Sequence, residues 1–244
     1  VPFFSQMLVR KRVGRFYRIG FGRRNFRRRN FHEKKLMELL TLFRQNWQRI
    51  CDRTEAGRVL LAVSGGQDSM VMTELFRQAG IPTALAHCNF SLREEASDLD
   101  EALVRDYAAE HGLPFHSVRF DTRRQMDEWK KGVQETARIL RYEWLEHIRK
   151  TEGYKLIATA HHADDNAETM LMQLFRGTGI RGMHGIPERQ GNIVRPLLFA
   201  QKNDIATYAE AHQVPYRDDA SNATDAYKRN IVRHHIMPAV QQWF

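Results

Sequence analysis

Two alternating hydrophobic patterns run along this chain. Leu36, Leu39, Leu40, Phe43, Trp47 and Ile50 recur at helical spacing, predicting a helix that starts near His32 or Glu33 and carries one apolar stripe. Val59-Leu60-Leu61-Ala62-Val63 is then a short unbroken apolar run ending at Ser64-Gly65-Gly66. Such a run reads as a strand buried on both faces, as in a parallel sheet. A helical stretch from about Ser69 to Ala79 follows, with Gly80 just past its end, where a left-handed residue closes a helix. The alternation continues through a strand at Thr83–His87, a helix near Ser97–His111 and a strand at Phe115–Phe120. Two helical pieces, about Arg123–Lys131 and Val133–Lys150, precede a fourth strand at Lys155–Thr159. Beyond it come a helix whose expected buried face is Met170, Leu171, Leu174 and Phe175, a Gly-rich stretch from Gly177 to Gly191, and the run Asn192–Leu198. Helices near 201–212 and 227–237 complete the pattern, and no segment repeats another. Strands alternating with helices imply βαβ units, hence an α/β fold with a doubly wound parallel sheet and helices on both faces.

Charge divides the chain. Of 38 Lys and Arg residues, ten lie in residues 1–30, which hold no acid. The other 214 residues carry 28 basic and 29 acidic side chains, so the overall +9 describes a tail and not a folded basic face. Aromatics between the arginines of that tail suit stacking on bases and neutralising phosphates. An organellar transit peptide is also Arg-rich but Ser-rich, and only Ser5 occurs here; an extension outside the fold, from a misassigned start at Val1, is the plainest reading. The expected organisation is a basic tail over 1–30, a catalytic domain over 31–215 and a helical segment over 216–244, the last leading towards a region beyond Phe244. Cys51 and Cys88 make neither a disulfide framework nor a CxxC pair. No apolar run reaches the ~20 residues of a membrane span. A cytoplasmic location is therefore expected.

Ser64-Gly65-Gly66-Gln67-Asp68-Ser69 sits where an α/β nucleotide-binder needs a phosphate loop, after the first strand and opening the first helix. Gly65 and Gly66 let backbone N–H groups approach phosphate oxygens, and the helix end adds donors and a positive dipole. Ser64 and Ser69 add hydroxyls, and Asp68 is a ligand for Mg²⁺. No Lys follows the glycines, so the loop is neither GxxxxGK[ST] nor GxGxxG. The bland alternative is an ordinary turn with Asp68 as a first-turn cap.

A second constellation, His161-His162-Ala163-Asp164-Asp165-Asn166-Ala167-Glu168, follows the fourth strand and enters a helix. Asp164 and Glu168 are four apart and share a helix face. A topological switch point between the first and fourth strands would bring this turn beside Ser64–Ser69. Asp68 with Asp164 or Asp165 then holds Mg²⁺, with His161 or His162 on a phosphate. Acids in a first helical turn also simply stabilise the macrodipole, and HHxDD lacks the spacing of a HExxH zinc site.

SGGQDS resembles the PP-loop of the N-type ATP pyrophosphatases, enzymes that cleave ATP between the α- and β-phosphates. With HHADDNAET, it is similar to the signature shared by tRNA(Ile)-lysidine synthetases and 2-thiocytidine tRNA thiolases. Arg176-Gly177-Thr178-Gly179, Arg195-Pro196-Leu197-Leu198, Asp218/Asp219 with Asn222, and Arg229-Asn230-Ile231-Val232-Arg233-His234 favour the first. The match runs from about Arg58 to Pro238; residues 1–30 have no counterpart in the family, and the C-terminal tRNA-binding part that many members carry is expected beyond Phe244. The resemblance implies that His87 and Asn89, in the loop after the second strand, line the adenine pocket, and that Arg138 reaches the phosphates. It implies Ser64 to Ser69 and His161 as nucleotide contacts, Asp68, Asp164, Asp165 and Arg138 as catalytic residues, and Asp68 and Asp165 as Mg²⁺ ligands. It further implies ATP, free lysine and a tRNA(Ile) with a CAU anticodon as reactants, and leaves homodimerisation open. The alternatives are a thiolase, whose cluster cysteines are missing here, and a non-catalytic RNA-binding protein. Arg176 and Arg181 are expected to admit the target base, while Arg181 and Arg195 read equally well as solvated charges.

Overall fold

Among the described residues, six strands form one sheet in the order β3-β2-β1-β4-β6-β5. The computed structural model describes residues 38–51, 57–93, 95–179, 184–218 and 228–243. The tail over 1–30, the helix start near His32, Arg181, Asp219 and Asn222 lie outside the described residues. The strands are β1 (Val59–Ala62), β2 (Thr83–Asn89), β3 (Phe115–Arg119), β4 (Leu156–Ala158), β5 (Arg189–Gln190) and β6 (Ile193–Val194). The helices are α1 (residues 38–50), α2 (Gln67–Ala79), α3 (Glu95–Glu110), α4 (Thr122–Trp129), α5 (Val133–Thr151), α6 (Ala163–Phe175) and α7 (Lys202–Ala211). A last helix, α8, runs over residues 228–243.

Apolar alternation along β1 divides the core into two. Val59, Leu61 and Val63 pack with Phe43, Val71, Leu75, Val104, Ile205 and Tyr208, while Leu60 packs with Ala84, Ala86, Leu145 and Ile157. Each layer of helices therefore has its own half of every strand's side chains, which is what a sheet covered on both faces requires. The expected doubly wound architecture is borne out. Pairing is parallel from β3 through β6, and only the two-residue edge strand β5 runs antiparallel. That short hairpin, turning at Gly191 (φ +59°), comes from the stretch read simply as Gly-rich.

Two local features depart from the pattern. On α6, Met170, Leu174 and Phe175 are exposed, the last at 60%, and the fully buried side chain is Glu168. The helix turns its charged side inward because that side holds two arginines of α8, and periodicity cannot say which of two stripes faces the core. In α8, residues Val232–Ile236 widen into a π-turn. Pro238 lacks an N–H and crowds the carbonyl four residues back, which a wider turn relieves. No described helix is long and apolar enough to cross a membrane.

Glu74 ties α2 to α3 inside the first core. Its carboxylate accepts hydrogen bonds from Arg77 Nε (2.8 Å) and Nη2 (2.6 Å), Gln78 Nε2 (2.7 Å) and Tyr107 Oη (2.5 Å). Burial opposes its ionisation, but the hydrogen bonds from Arg77, Tyr107 and Gln78 and the charge of Arg77 outweigh it and hold the carboxyl at about 2. A folded pKa below the ordinary 4.5 means the stabilisation is complete above pH 4.5 and is lost as pH falls towards 2. Glu74→Gln is expected to cost about 1–3 kcal/mol at pH 7, the range for a hydrogen-bonded charged group. It should also flatten the dependence of the thermal midpoint on pH between 4.5 and 2, relative to the parent protein. Parallel melting curves down that range would show the Glu74 account to be wrong.

Candidate active site

The sheet order puts the ends of β1 and β4 side by side, Leu61 opposite Ala158. The chains leaving them open a cavity of about 830 Å³. The β1 turn is held by its own serines. Ser69 Oγ accepts from Ser64 N at 3.1 Å and donates to Gly66 O at 2.9 Å, and the two hydroxyls lie 3.2 Å apart. Gly65 adopts φ +89°, and a Cβ there would stand 3.2 Å from the backbone oxygen of Asp100. Only glycine fits that conformation against α3. Gly66 then caps α2 in an extended conformation, and Asp68 stands in the helix's first turn.

The β4 turn supplies the opposite wall. His162 N donates to Asp165 Oδ2 at 3.1 Å, an acid bonded back across the start of α6. His162 is buried, with Nε2 3.7 Å from Asp68 Oδ2 and 3.4 Å from Asp165 Oδ2, and Nδ1 3.5 Å from Asp164 Oδ2. Burial depresses His161 to about 4, against the pull of Asp165, so its ring is neutral at pH 7. Its Nδ1 lies 3.0 Å from Thr159 Oγ1.

Three charged groups complete the cavity, of which Lys202 and Asp100 carried no signal in the sequence. Lys202, first in α7, donates its backbone N–H to Asp164 Oδ2 at 2.8 Å and its ammonium to Asp68 Oδ1 at 2.5 Å. Asp100 of α3 accepts from Arg93 Nη2 (3.0 Å) and Arg217 Nε (2.9 Å), and the Arg217 backbone N–H caps Gly65 O at 3.0 Å. Glu168 is gripped by Arg233 through Nε (2.6 Å) and Nη2 (3.0 Å), with Arg229 Nε at 3.1 Å. Arg233 Nη2 also reaches Asp165 Oδ1 at 3.3 Å. A lysine that meets its partner 134 residues away leaves no local signal.

The structure thus gathers Ser64, Gly66, Gln67, Asp68, Ser69, His161, Asp164 and Asp165 on one cavity wall or another, with Gly65 shaping the turn. It leaves three expected residues outside the lining. His87 is buried with a ring nitrogen 2.9 Å from Val63 O, and burial lowers its pKa. Asn89 is buried and donates to Asp98 and Glu101 of α3 at 2.9 and 3.0 Å. Arg138 is exposed with its guanidinium 5.0 Å from the Tyr142 ring; Arg141, one turn on, lines the cavity over Phe90. Cys88 also lines the cavity, and burial pushes its thiol up to about 12. Arg195, which the sequence left open as a solvated charge, is buried and donates to Pro187 O at 2.6 Å. Arg176 is exposed at the end of α6.

A doubly wound sheet with a glycine turn, a helix end and convergent charged groups at its switch point defines the class of α/β phosphate-binding proteins. Within it, residues 39–240 match the family model ATP_bind_3, the PP-loop domain, and the chain belongs to that family. It is 48% identical over 192 residues to the tRNA(Ile)-lysidine synthase of Chlorobaculum tepidum, and 45% identical over 185 residues to that of Porphyromonas gingivalis. These alignments cover 76% and 75% of this chain but 57% and 41% of the relatives, so the chain spans about half their length. Among solved structures, the U34-tRNA thiolase NcsA of Methanococcus maripaludis superposes with a TM-score of 0.66 at 16% identity, covering 86% of this chain and 74% of that one; the likeness is one of fold.

Gly65→Ala tests the turn. Its φ is strained for any L side chain and the added methyl meets Asp100, so a loss of about 1–3 kcal/mol is expected. Nucleotide affinity should fall with it, while Gly80→Ala, equally left-handed but remote with open space around it, should lower stability alone. Equal nucleotide binding by both variants would detach the Gly65 turn from the ligand site.

Proposed function

We propose that this chain is the catalytic part of a tRNA(Ile)-lysidine synthetase. In this reading ATP adenylates O2 of the wobble cytidine of a CAU anticodon, and the ε-amine of free lysine then displaces AMP at C2. The observation that carries the reading is the single cavity shared by the two signature turns, in a chain 48% identical over 192 residues to a tRNA(Ile)-lysidine synthase. The Ser64–Ser69 turn would receive the phosphates on backbone N–H groups and on the end of α2. Arg229 and Arg233, fixed by Glu168 at the cavity wall, would offset phosphate charge, and this role passes from Arg138 to them and to Arg141. The ring of Phe90, beneath Arg141, offers an apolar face for adenine in place of His87 and Asn89.

Mg²⁺ fits this donor set through Asp68. Among the described residues no group of three His, Cys, Asp or Glu side chains is arranged to hold a metal ion, so an ion at Asp68 would take waters and substrate phosphates as its other ligands. Both oxygens of Asp165 are already engaged, by His162 N and by Arg233, which makes it the poorer ligand. Bound at Asp68, the ion would neutralise charge on the phosphates. Asp164, one of whose oxygens accepts the Lys202 N–H, is the carboxylate we assign to take the proton from the attacking amine. The cytidine must leave the anticodon stack to enter. We place the reaction in the cytoplasm, with tRNA(Ile), lysine and ATP as its partners.

A thiolase reading asks for a reactive sulfur. Cys88 is the cavity's cysteine, and a thiol held at about 12 stays protonated and a poor nucleophile at pH 7. The protein, incubated with tRNA(Ile), Mg-ATP and isotopically labelled lysine, should therefore yield a cytidine carrying the label. Cys88→Ser should retain most of that activity. Asp68→Asn should keep the fold and lose ATP–pyrophosphate exchange by a hundredfold or more, the order seen when an electrostatic contact to reacting groups is removed. Sulfur in the product, or loss of all activity in Cys88→Ser, would replace this reading with a thiolase.

A further inference from the structure

The β1 turn lacks the lysine that phosphate loops of the GxxxxGK[ST] kind carry in their own sequence. The fold brings one to the same place from elsewhere. Lys202 opens α7, and its backbone N–H is bonded to Asp164 Oδ2, so its Cα is fixed to the first turn of α6. From there the side chain crosses to the first turn of α2 and meets Asp68 Oδ1 at 2.5 Å. It lines the cavity and is 44% exposed, on a stem of four rotatable carbons. We propose that Lys202 is a catalytic residue that binds the β- and γ-phosphates of ATP and holds the departing pyrophosphate. The proposal rests on the ATP-dependent reading above.

Arg141, also on the cavity wall, stands over the Phe90 ring, and four further arginines are held in pairs. Arg93 and Arg217 share Asp100, and Arg229 and Arg233 share Glu168, both carboxylates with two guanidiniums each. Lys202 is paired instead with Asp68, the carboxylate best placed for Mg²⁺. A phosphate chain bound at the end of α2 lies within the ammonium's reach from the position it already holds. With Asp68 holding the ion, the ammonium would exchange one oxyanion partner for another. Such an exchange leaves neither charge without a partner. In the chemical step the bond between the α-phosphorus and its bridging oxygen breaks, and a bond from cytidine O2 to that phosphorus forms. The electron pair leaves on pyrophosphate, where the charge of Lys202 offsets the gain without a proton transfer. A merely structural Lys202 would neutralise Asp68 and touch no phosphate.

The two roles separate on ligands that differ only in phosphates. Calorimetric titration of the protein and of Lys202→Met with ATP, AMP and inorganic pyrophosphate, each with Mg²⁺, is the test. Affinity for ATP and pyrophosphate should fall about tenfold or more in Lys202→Met, the worth of one charge-assisted contact, while AMP binds equally to both. Lys202→Arg should recover part of the loss. A second measurement needs no variant: acetylation of Lys202 by acetic anhydride, followed by mass spectrometry, should be suppressed by pyrophosphate and not by AMP. Unchanged pyrophosphate affinity with an unprotected Lys202 overturns the proposal. Failure of the parent protein to bind any of the three ligands overturns instead the nucleotide reading on which it stands.

Discussion

Everything at the cavity depends on the parallel pairing of β1 with β4. Three register pairs, Val59 with Leu156, Leu60 with Ile157 and Leu61 with Ala158, place two turns separated by almost a hundred residues against each other. The sheet can hold that pairing because both faces of β1 are buried, each under its own layer of helices. β2 and β3 extend the sheet to one side of β1, and β6 extends it beyond β4 on the other. Chains leave β1 and β4 at their carboxyl ends, and the crevice between them is left open by the topology itself.

Charge then closes what topology leaves open. Three carboxylates at the crevice do a second job, in that each fixes an element as well as lining the cavity. Asp164 holds the start of α7, Asp100 holds two arginines against the Gly65 turn, and Glu168 holds α8 to α6. These ties come from four separate helices, so the cavity is assembled by long-range ion pairs and hydrogen bonds and not by one rigid loop. Such contacts strengthen in a partly dry site and leave unpaired charge if broken. This explains why α6 buries Glu168 and exposes Leu174 and Phe175, against its hydrophobic pattern.

The sequence could be read for fold and for the two turns because both are local. Val59–Val63 is too short and too apolar for anything but a buried strand, and glycines directly after it dictate a tight turn into a helix. Where contacts are distant, reading fails. His87, at the end of the expected strand, and Asn89, in the polar run after it, both belong to β2 and turn into the protein, one to Val63 O and the other to α3. Arg138 and Arg141 lie one turn apart on α5, and only packing decides which faces the cavity. Lys202 carried no motif at all; the sheet order is what brings α7 to α2. The α6 stripe failed for a related reason, since the arginines that overrule it are more than 60 residues away.

The central claim is that the Asp68 turn and the Asp164 turn are one site, joined through Lys202. A double-mutant cycle on ATP affinity measures this directly, using Asp68→Asn, Asp164→Asn and the double variant in folded protein. Groups in one network couple by about 0.5–3 kcal/mol, whereas independent sites add within about 0.5 kcal/mol. The structure predicts that the double variant loses clearly less affinity than the two single losses together. Strict additivity of the two losses would contradict it.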